Sequence, residues 1–326
     1  MENGTTTPQQ RLTGRLAPSP TGALHVGNVR TFMIAWLRVR SRGGRVILRM
    51  EDLDHPRDKP GAAAQAMDTL RWLGFDWDEE YVQSERRDVY RNAIEALAAK
   101  DLAYPCICSR KDVEAAQSAP HDGEQLRYPG TCRGRFASWN EAFAAKGSTP
   151  CWRFRTPQYS HVEFHDAFAG AFRQDVWESL GDFPLARDAD GAGYTLAVVV
   201  DDAAMGVTEV VRGDDLLAAT PAQILLQQAL GLPTPEYCHV PLVVGPDGRR
   251  LAKRHGDTRI DSYRRAGIKP EEIVGHIAAT CGWAKDGERI SLRDLLPRFD
   301  MSNIPHTPVT LGNWWDRRES NPEPTV

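Results

Sequence analysis

The sequence predicts an α/β fold in which crossover helices cover a parallel sheet. Three observations carry this reading. Apolar, β-branched segments alternate with segments of helical period through the N-terminal third of the chain. The first strand runs into a Pro- and Gly-rich turn, Pro18-Ser19-Pro20-Thr21-Gly22, that opens a helix. A second series of apolar segments resumes after a polar, irregular, Cys-containing interruption.

Taken in order, residues 14–17 read as a short strand. Residues 25–40 read as a helix, with Val26, Val29, Phe32, Met33, Trp36 and Leu37 recurring on one side. Arg42-Gly43-Gly44 ends it. Residues 45–50, RVILRM, suit a buried strand. Residues 62–73 form a second amphipathic helix stopped by Gly74, and residues 86–100 a third. From 104 to 186 the alternation breaks, and this stretch is expected to be an insertion. Residues 194–200, YTLAVVV, and 207–211 read as strands again. Thr220 is expected to cap a helix that has Pro221 at its first position and runs to Leu230. Residues 239–244 suit another strand, followed by the turn Gly245-Pro246-Asp247-Gly248 and a helix over 269–282. The expected division is a flexible lead over 1–13 and a sheet domain split between 14–103 and 187–257. The insertion takes 104–186, a short helical segment 258–318 and a disordered tail 319–326.

Composition bounds the function classes. With 41% hydrophobic and 26% charged residues among 326, the chain has the make-up of an ordinary globular protein. No apolar stretch approaches the length that spans a bilayer, and the polar start lacks the pattern of a secretory signal. A cytoplasmic monomer with no membrane partner is the default expectation. A net charge of −4 argues against indiscriminate coating of nucleic acid. Arg30, Arg38, Arg40, Arg42 and Arg45 crowd one stretch, which suits a local basic surface and equally a solvated helix face. In a reducing compartment, the six cysteines point to metal where clustered and to small buried hydrophobes where scattered.

Chemistry concentrates in two distant segments. Where the first strand turns into a helix, free N–H groups and the helix dipole attract phosphate. His25 can donate there without a fixed charge, Gly27 lets a nucleoside approach the backbone, and Asn28 offers an amide. Taken alone, His25 is a helix-capping residue. Far downstream, the basic loop around Lys253 can hold a triphosphate from the other side.

The first segment resembles the HIGH signature of class I aminoacyl-tRNA synthetases, here HVGN, and residues 250–254, RLAKR, resemble their KMSKS loop. RLAPSPTGALHVGN, VILRMEDLD, VVVDD, GVTEVVRGDDLL and LAKRHGD follow in the order of the glutamyl branch, over residues 14–257. The resemblance implies a Rossmann-type catalytic domain that activates L-glutamate with ATP, and Mg2+ carried by the nucleotide. It places ATP on His25, Gly27, Asn28 and Lys253, with His25 and Lys253 stabilising charge on the departing pyrophosphate. It places glutamate on Arg15, Ala17, Ser19, Glu51, Tyr194 and Arg212. Chemically, Glu51 suits the ammonium, the arginines suit the carboxylates, and Tyr194 can donate from one wall. The sequence departs from the signatures at Asn28 and Arg254, neither of which removes the key Lys.

Cys106-Ile107-Cys108 and Cys132 put three soft ligands in one region, where zinc prefers four. From chemistry alone His121 is the first choice for the fourth. A shorter branch of the family, which attaches glutamate to the queuosine base of tRNA-Asp, instead carries C-x-C followed by Y-x-x-x-C. In that pattern Tyr128 completes one structural Zn2+ site per chain with Cys106, Cys108 and Cys132. About seventy residues follow the Lys253 loop, too few for a full anticodon-binding domain by ordinary domain size. The reading is therefore the queuosine-directed ligase. A shortened synthetase charging the 3′ end of tRNA-Glu, and a non-catalytic tRNA-binding relic, are the alternatives.

Overall fold

The computed structural model describes residues 11–53, 60–116, 127–147, 149–187, 191–245, 247–248, 251 and 258–310. Lys253 and most of its loop, His121, Pro246 and residues 319–326 lie outside them.

β1 (Thr13–Leu16), α1 (Val26–Arg40), β2 (Arg45–Met50), α2 (Ala62–Trp72) and β3 (Glu79–Val82) form successive crossovers on a parallel sheet of order β1-β2-β3. β2 is buried along nearly its whole length, as a strand covered on both faces must be. α1 lies directly on β1: a Cβ at Gly14 would stand 2.5 Å from Val39 Cγ2. α3 (Arg87–Ala99) then leads into β4 (Ala103–Cys106), where the architecture changes. After α4 (Arg110–Ala116) and α5 (Trp139–Lys146) comes β5 (Cys151–Phe154), antiparallel to β4 with Cys106 opposite Cys151. The hairpin β6 (His161–Asp166) and β7 (Gly170–Asp175) and the single turn α6 (Val176–Ser179) precede β8 (Pro184–Ala186), which closes a three-stranded antiparallel sheet, β4-β5-β8.

The chain re-enters the parallel fold through α7 (Tyr194–Ala204), β9 (Glu209–Gly213), α8 (Thr220–Leu230) and β10 (Glu236–Val240), with β9 and β10 parallel. The two ladders meet at β1 and β9, where Thr208 N donates to Thr13 O at 2.9 Å. Among the described residues, β11 (Val243–Val244), α9 (Ile260–Arg265), α10 (Pro270–Ala279) and β12 (Val309–Thr310) follow, β12 pairing with β11. One apolar core lies under α1 and includes Leu16, Met33, Trp36 and Ile273. A second surrounds α7 and includes Ile47, Tyr90, Leu196 and Val199. No helix among the described residues is long and apolar enough to cross a membrane.

Three expectations are corrected. Residues 194–200 begin a helix, because α7 is packed among apolar neighbours and burial on most sides outweighs the strand preference of its valines. Thr220 does not cap α8: Ala219 precedes the helix, and the Thr220 hydroxyl is engaged with Arg212 instead. The strand expected over 239–244 is split between β10 and β11 by Pro241, whose carbonyl accepts from the buried Arg30 at 2.7 Å. The clustered arginines serve internal pairing. Arg38 and Arg42 meet Glu209, Arg40 meets Asp76 and Asp78, and Arg45 meets Glu79.

Candidate active site

The opening turn is built by backbone pairing. His25 is the N-cap of α1: its Nδ1 accepts from Asn28 N at 3.4 Å, and Asn28 Oδ1 accepts from His25 N at 3.3 Å. This reciprocal cap gives Asn28 a structural use and, in the neutral ring, puts the proton on Nε2. A Cβ at Gly27 would come within 3.1 Å of the His25 ring, which would have to give by a few tenths of an ångström. The downstream basic loop is rooted on the same turn. Val26 N donates to Thr258 O at 3.0 Å, Ile260 N donates to Leu24 O at 2.9 Å, and His25 bridges Arg259. Leu251 and Thr258, which flank residues 252–257, are thus described, while Lys253 itself is not.

At the carboxyl ends of β1, β2 and β9 the expected amino-acid residues converge, where ligands sit in open parallel sheets. Arg15 is buried, its Nη1 donating to Val211 O at 3.0 Å and its Nε standing 3.6 Å from Asp202 Oδ1. Glu51 follows β2 directly, and its N–H donates to Pro18 O at 3.0 Å. Ala17 is half-buried and Ser19 is exposed at the lip. Tyr194, at the start of α7, is 44% exposed, and desolvation raises its phenol. Arg212, Glu51 and Arg15 all act on its charge, so these groups lie near one another. Burial raises Glu51 and lowers Arg15, as expected of charges drawn from water before a ligand of opposite charge arrives.

Arg212 is held on three sides. Its Nε donates to His239 Nε2 at 2.9 Å, its Nη2 donates to Thr220 Oγ1 at 2.8 Å, and its guanidinium lies over the Tyr237 ring. Nη1 is buried and has no hydrogen-bond partner among the described residues.

A second cluster lies in the antiparallel module. Cys106, Cys108 and Cys132 place their sulfurs within 4.8 Å of one another. The Tyr128 hydroxyl stands 3.3 Å from Cys106 Sγ and 3.6 Å from Cys108 Sγ. Ligands about 2.3 Å from a tetrahedral zinc are roughly 3.8 Å apart, so these four side chains fit the ion. Cys151 bonds to Cys106 from the facing strand and, with Tyr128 and Arg153, draws its thiol down to about 4 against the opposing effect of burial. Arg153 Nε donates to Cys106 Sγ at 3.2 Å while its guanidinium covers the Tyr128 ring, 3.8 Å from the centroid. A cavity of about 760 Å³ opens beside this cluster, between Lys146, Asp182 and Arg187, and not at the sheet ends.

The family model for tRNA synthetases class I (E and Q), catalytic domain, matches residues 11–306. The chain belongs to that family. Glutamyl-Q tRNA(Asp) synthetase of Symbiobacterium thermophilum is 49% identical over 312 residues, covering 92% of this chain and 96% of that one. The protein of the same name from Rhodopirellula baltica is 46% identical over 322 residues, with the same shares. A solved glutamate tRNA ligase from Elizabethkingia meningosepticum, in complex with its amino acid, superposes with a TM-score of 0.78 at 27% identity. There the match covers 93% of this chain and 67% of the ligase.

The candidate site contains residues the motifs did not single out. Arg49, fully buried, donates to Asp202 Oδ1 at 2.6 Å and to Glu51 Oε1 at 3.0 Å, joining β2 to α7 beneath the pocket. Asp201 accepts from Gln83, Arg86 and Tyr90. An arginine inside the apolar RVILRM strand was the available signal, because a buried charge needs a partner of opposite sign.

Proposed function

We propose that this synthetase activates L-glutamate with ATP and transfers it to the queuosine base in the anticodon loop of tRNA-Asp. The first step is supported by the charges of Arg212, Glu51 and Arg15 acting together on Tyr194, and by Arg212 Nη1, which is buried without a hydrogen-bond partner among the described residues. These charges complement glutamate: one acid for the ammonium and two arginines for the carboxylates. The α-carboxylate oxygen attacks the α-phosphorus of ATP and pyrophosphate leaves. The nucleophile is already ionised, so no general base is required. His25 and Lys253 stabilise the charge that develops on the phosphates, and Mg2+ accompanies ATP. Gly27 and Asn28 shape the nucleotide side, and Ala17 and Ser19 the lip. A structural zinc held by Cys106, Cys108, Cys132 and Tyr128 would pin the antiparallel module.

The choice of acceptor rests on the relatives named glutamyl-Q tRNA(Asp) synthetase, which the chain matches over nearly their whole length. The likeness to a glutamate tRNA ligase favours a second reading, charging of tRNA-Glu at its 3′ end. Transfer of labelled glutamate to tRNA-Asp with queuosine, tRNA-Asp with guanosine and tRNA-Glu separates them. Label only on the queuosine-containing tRNA is the expected result; label on tRNA-Glu establishes the second reading.

A further inference from the structure

Asp166 and His239 are fully buried, carry no part of the adenylation chemistry, and stand directly behind Arg212. His239 Nδ1 lies 2.6 Å from Asp166 Oδ2. Asp166 Oδ1 is committed elsewhere: it accepts from the N–H groups of Phe168 at 3.0 Å, Ala169 at 2.8 Å and His239 at 3.0 Å. The carboxylate is therefore fixed in orientation and accepts the imidazole proton through Oδ2. With Nδ1 protonated, Nε2 of the neutral ring is an acceptor, and it faces Arg212 Nε. Desolvation, helped by the charge of Arg212, lowers His239 and keeps the ring neutral.

We propose that Asp166, His239 and Thr220 form a positioning relay that orients Arg212 for glutamate. His239 and Thr220 take the Nε–H and one Nη2–H, which form one edge of the guanidinium fork. This leaves Nη1, buried and without a hydrogen-bond partner among the described residues, and the second Nη2 hydrogen as the edge available to a carboxylate. If the proton sat on Nε2, two donors would meet at 2.9 Å in a buried site; that proton would turn to Thr220 Oγ1, 3.2 Å away, and Arg212 Nε would lose its acceptor. Asp166 sets the tautomer, and the tautomer sets the arginine. The inference rests on Arg212 meeting a carboxylate of glutamate, and it assigns His239 a positioning role, not a catalytic one.

The decisive variant is Asp166→Asn. The three backbone donors hold the amide oxygen at the Oδ1 position, so the NH2 group faces Nδ1 and drives the ring proton to Nε2. Glutamate-dependent ATP–pyrophosphate exchange is the kinetic readout. The KM for glutamate is expected to rise about tenfold or more, with kcat and the KM for ATP changed by less than about threefold. His239→Leu should show the same split, and His239→Gln, whose amide oxygen can accept from Arg212, should recover part of the loss. Equal changes in both KM values, or no advantage of Gln over Leu, overturn the relay. Nitrogen-15 NMR of the imidazole gives a reading free of activity. Nδ1-protonated His239 in the wild type and Nε2-protonated His239 in Asp166→Asn are expected. The Nε2 tautomer in the wild type overturns the inference even if glutamate is not the substrate. Absence of glutamate-dependent exchange in the wild type refutes the proposed function alone, and the NMR result still decides the relay.

Discussion

Arg49 sits at zero exposure between Asp202 and Glu51, and the physics of such pairs is asymmetric. Burial opposes its charge, while Asp202 and Glu51 prevail and keep it protonated. Replacing it with Met takes the nearest cation from two partly desolvated carboxylates, Asp202 keeping only Arg15 at 3.6 Å. Arg49→Met should therefore lower unfolding free energy by about 3–5 kcal/mol, read from urea denaturation midpoints. A loss below about 1 kcal/mol would mean that the carboxylates find water when the arginine leaves. His239 and Asp166 give a pH dependence. The unfolded His takes up a proton as pH falls below about 6.5, whereas buried His239 has a lower pKa and resists it. Its stabilisation is complete above that range and is lost as pH falls towards the folded pKa. Asp166, held below the ordinary carboxylate range by His239 and backbone donors despite burial, adds a loss of the same sign at lower pH. The urea midpoint should drop between about pH 7.5 and 5.5, and the drop should be smaller in His239→Gln. Arg15, Glu51 and Arg212 were legible because they lie in contiguous motif strings. His239 and Asp166 were not, since their pairing spans 73 positions and leaves no local pattern.

The N-terminus of α1 shows how an element serves folding and ligand geometry together. His25 and Asn28 satisfy each other's backbone N–H groups, so the ring expected to meet phosphate is oriented by the cap itself. Asn28→Ala should cost about 1 kcal/mol of stability and weaken ATP more than glutamate in the exchange assay. A stability loss with unchanged ATP dependence would separate the two roles. In the antiparallel module, Cys106 lies on β4 directly opposite Cys151, and Arg153 two positions along β5 reaches the same sulfur. Cys106→Ser should lower bound zinc, measured by elemental analysis, and melting temperature together; unchanged metal stoichiometry would remove the assignment. The strand-helix alternation of residues 13–50 was readable because its local period and its burial agree. Residues 194–200 misled because three successive valines favour a strand in isolation, and only their tertiary neighbours decide otherwise.

Across the whole molecule, two segments far apart in sequence meet at one turn: the root of the Lys253 loop is stitched to the first turn of α1 by backbone bonds. The module bearing the thiols is built separately, on its own antiparallel sheet. Lys253→Ala should therefore abolish glutamate-dependent pyrophosphate exchange and leave zinc content unchanged. Normal exchange in that variant would take Lys253 out of the reaction. The arginines of α1 illustrate why charge runs read poorly from sequence: their acidic partners arrive from other segments, including Asp76, Asp78 and Glu209. α7 is keyed to the first half of the chain in the same way. Consecutive residues stand about 100° apart around a helix, so Asp201 and Asp202 leave the axis as a fork. One prong enters the socket of Gln83, Arg86 and Tyr90, and the other enters that of Arg15 and Arg49. A one-residue deletion between Thr195 and Val200 that turned the C-terminal half of α7 would carry both prongs about 100° out of register at once.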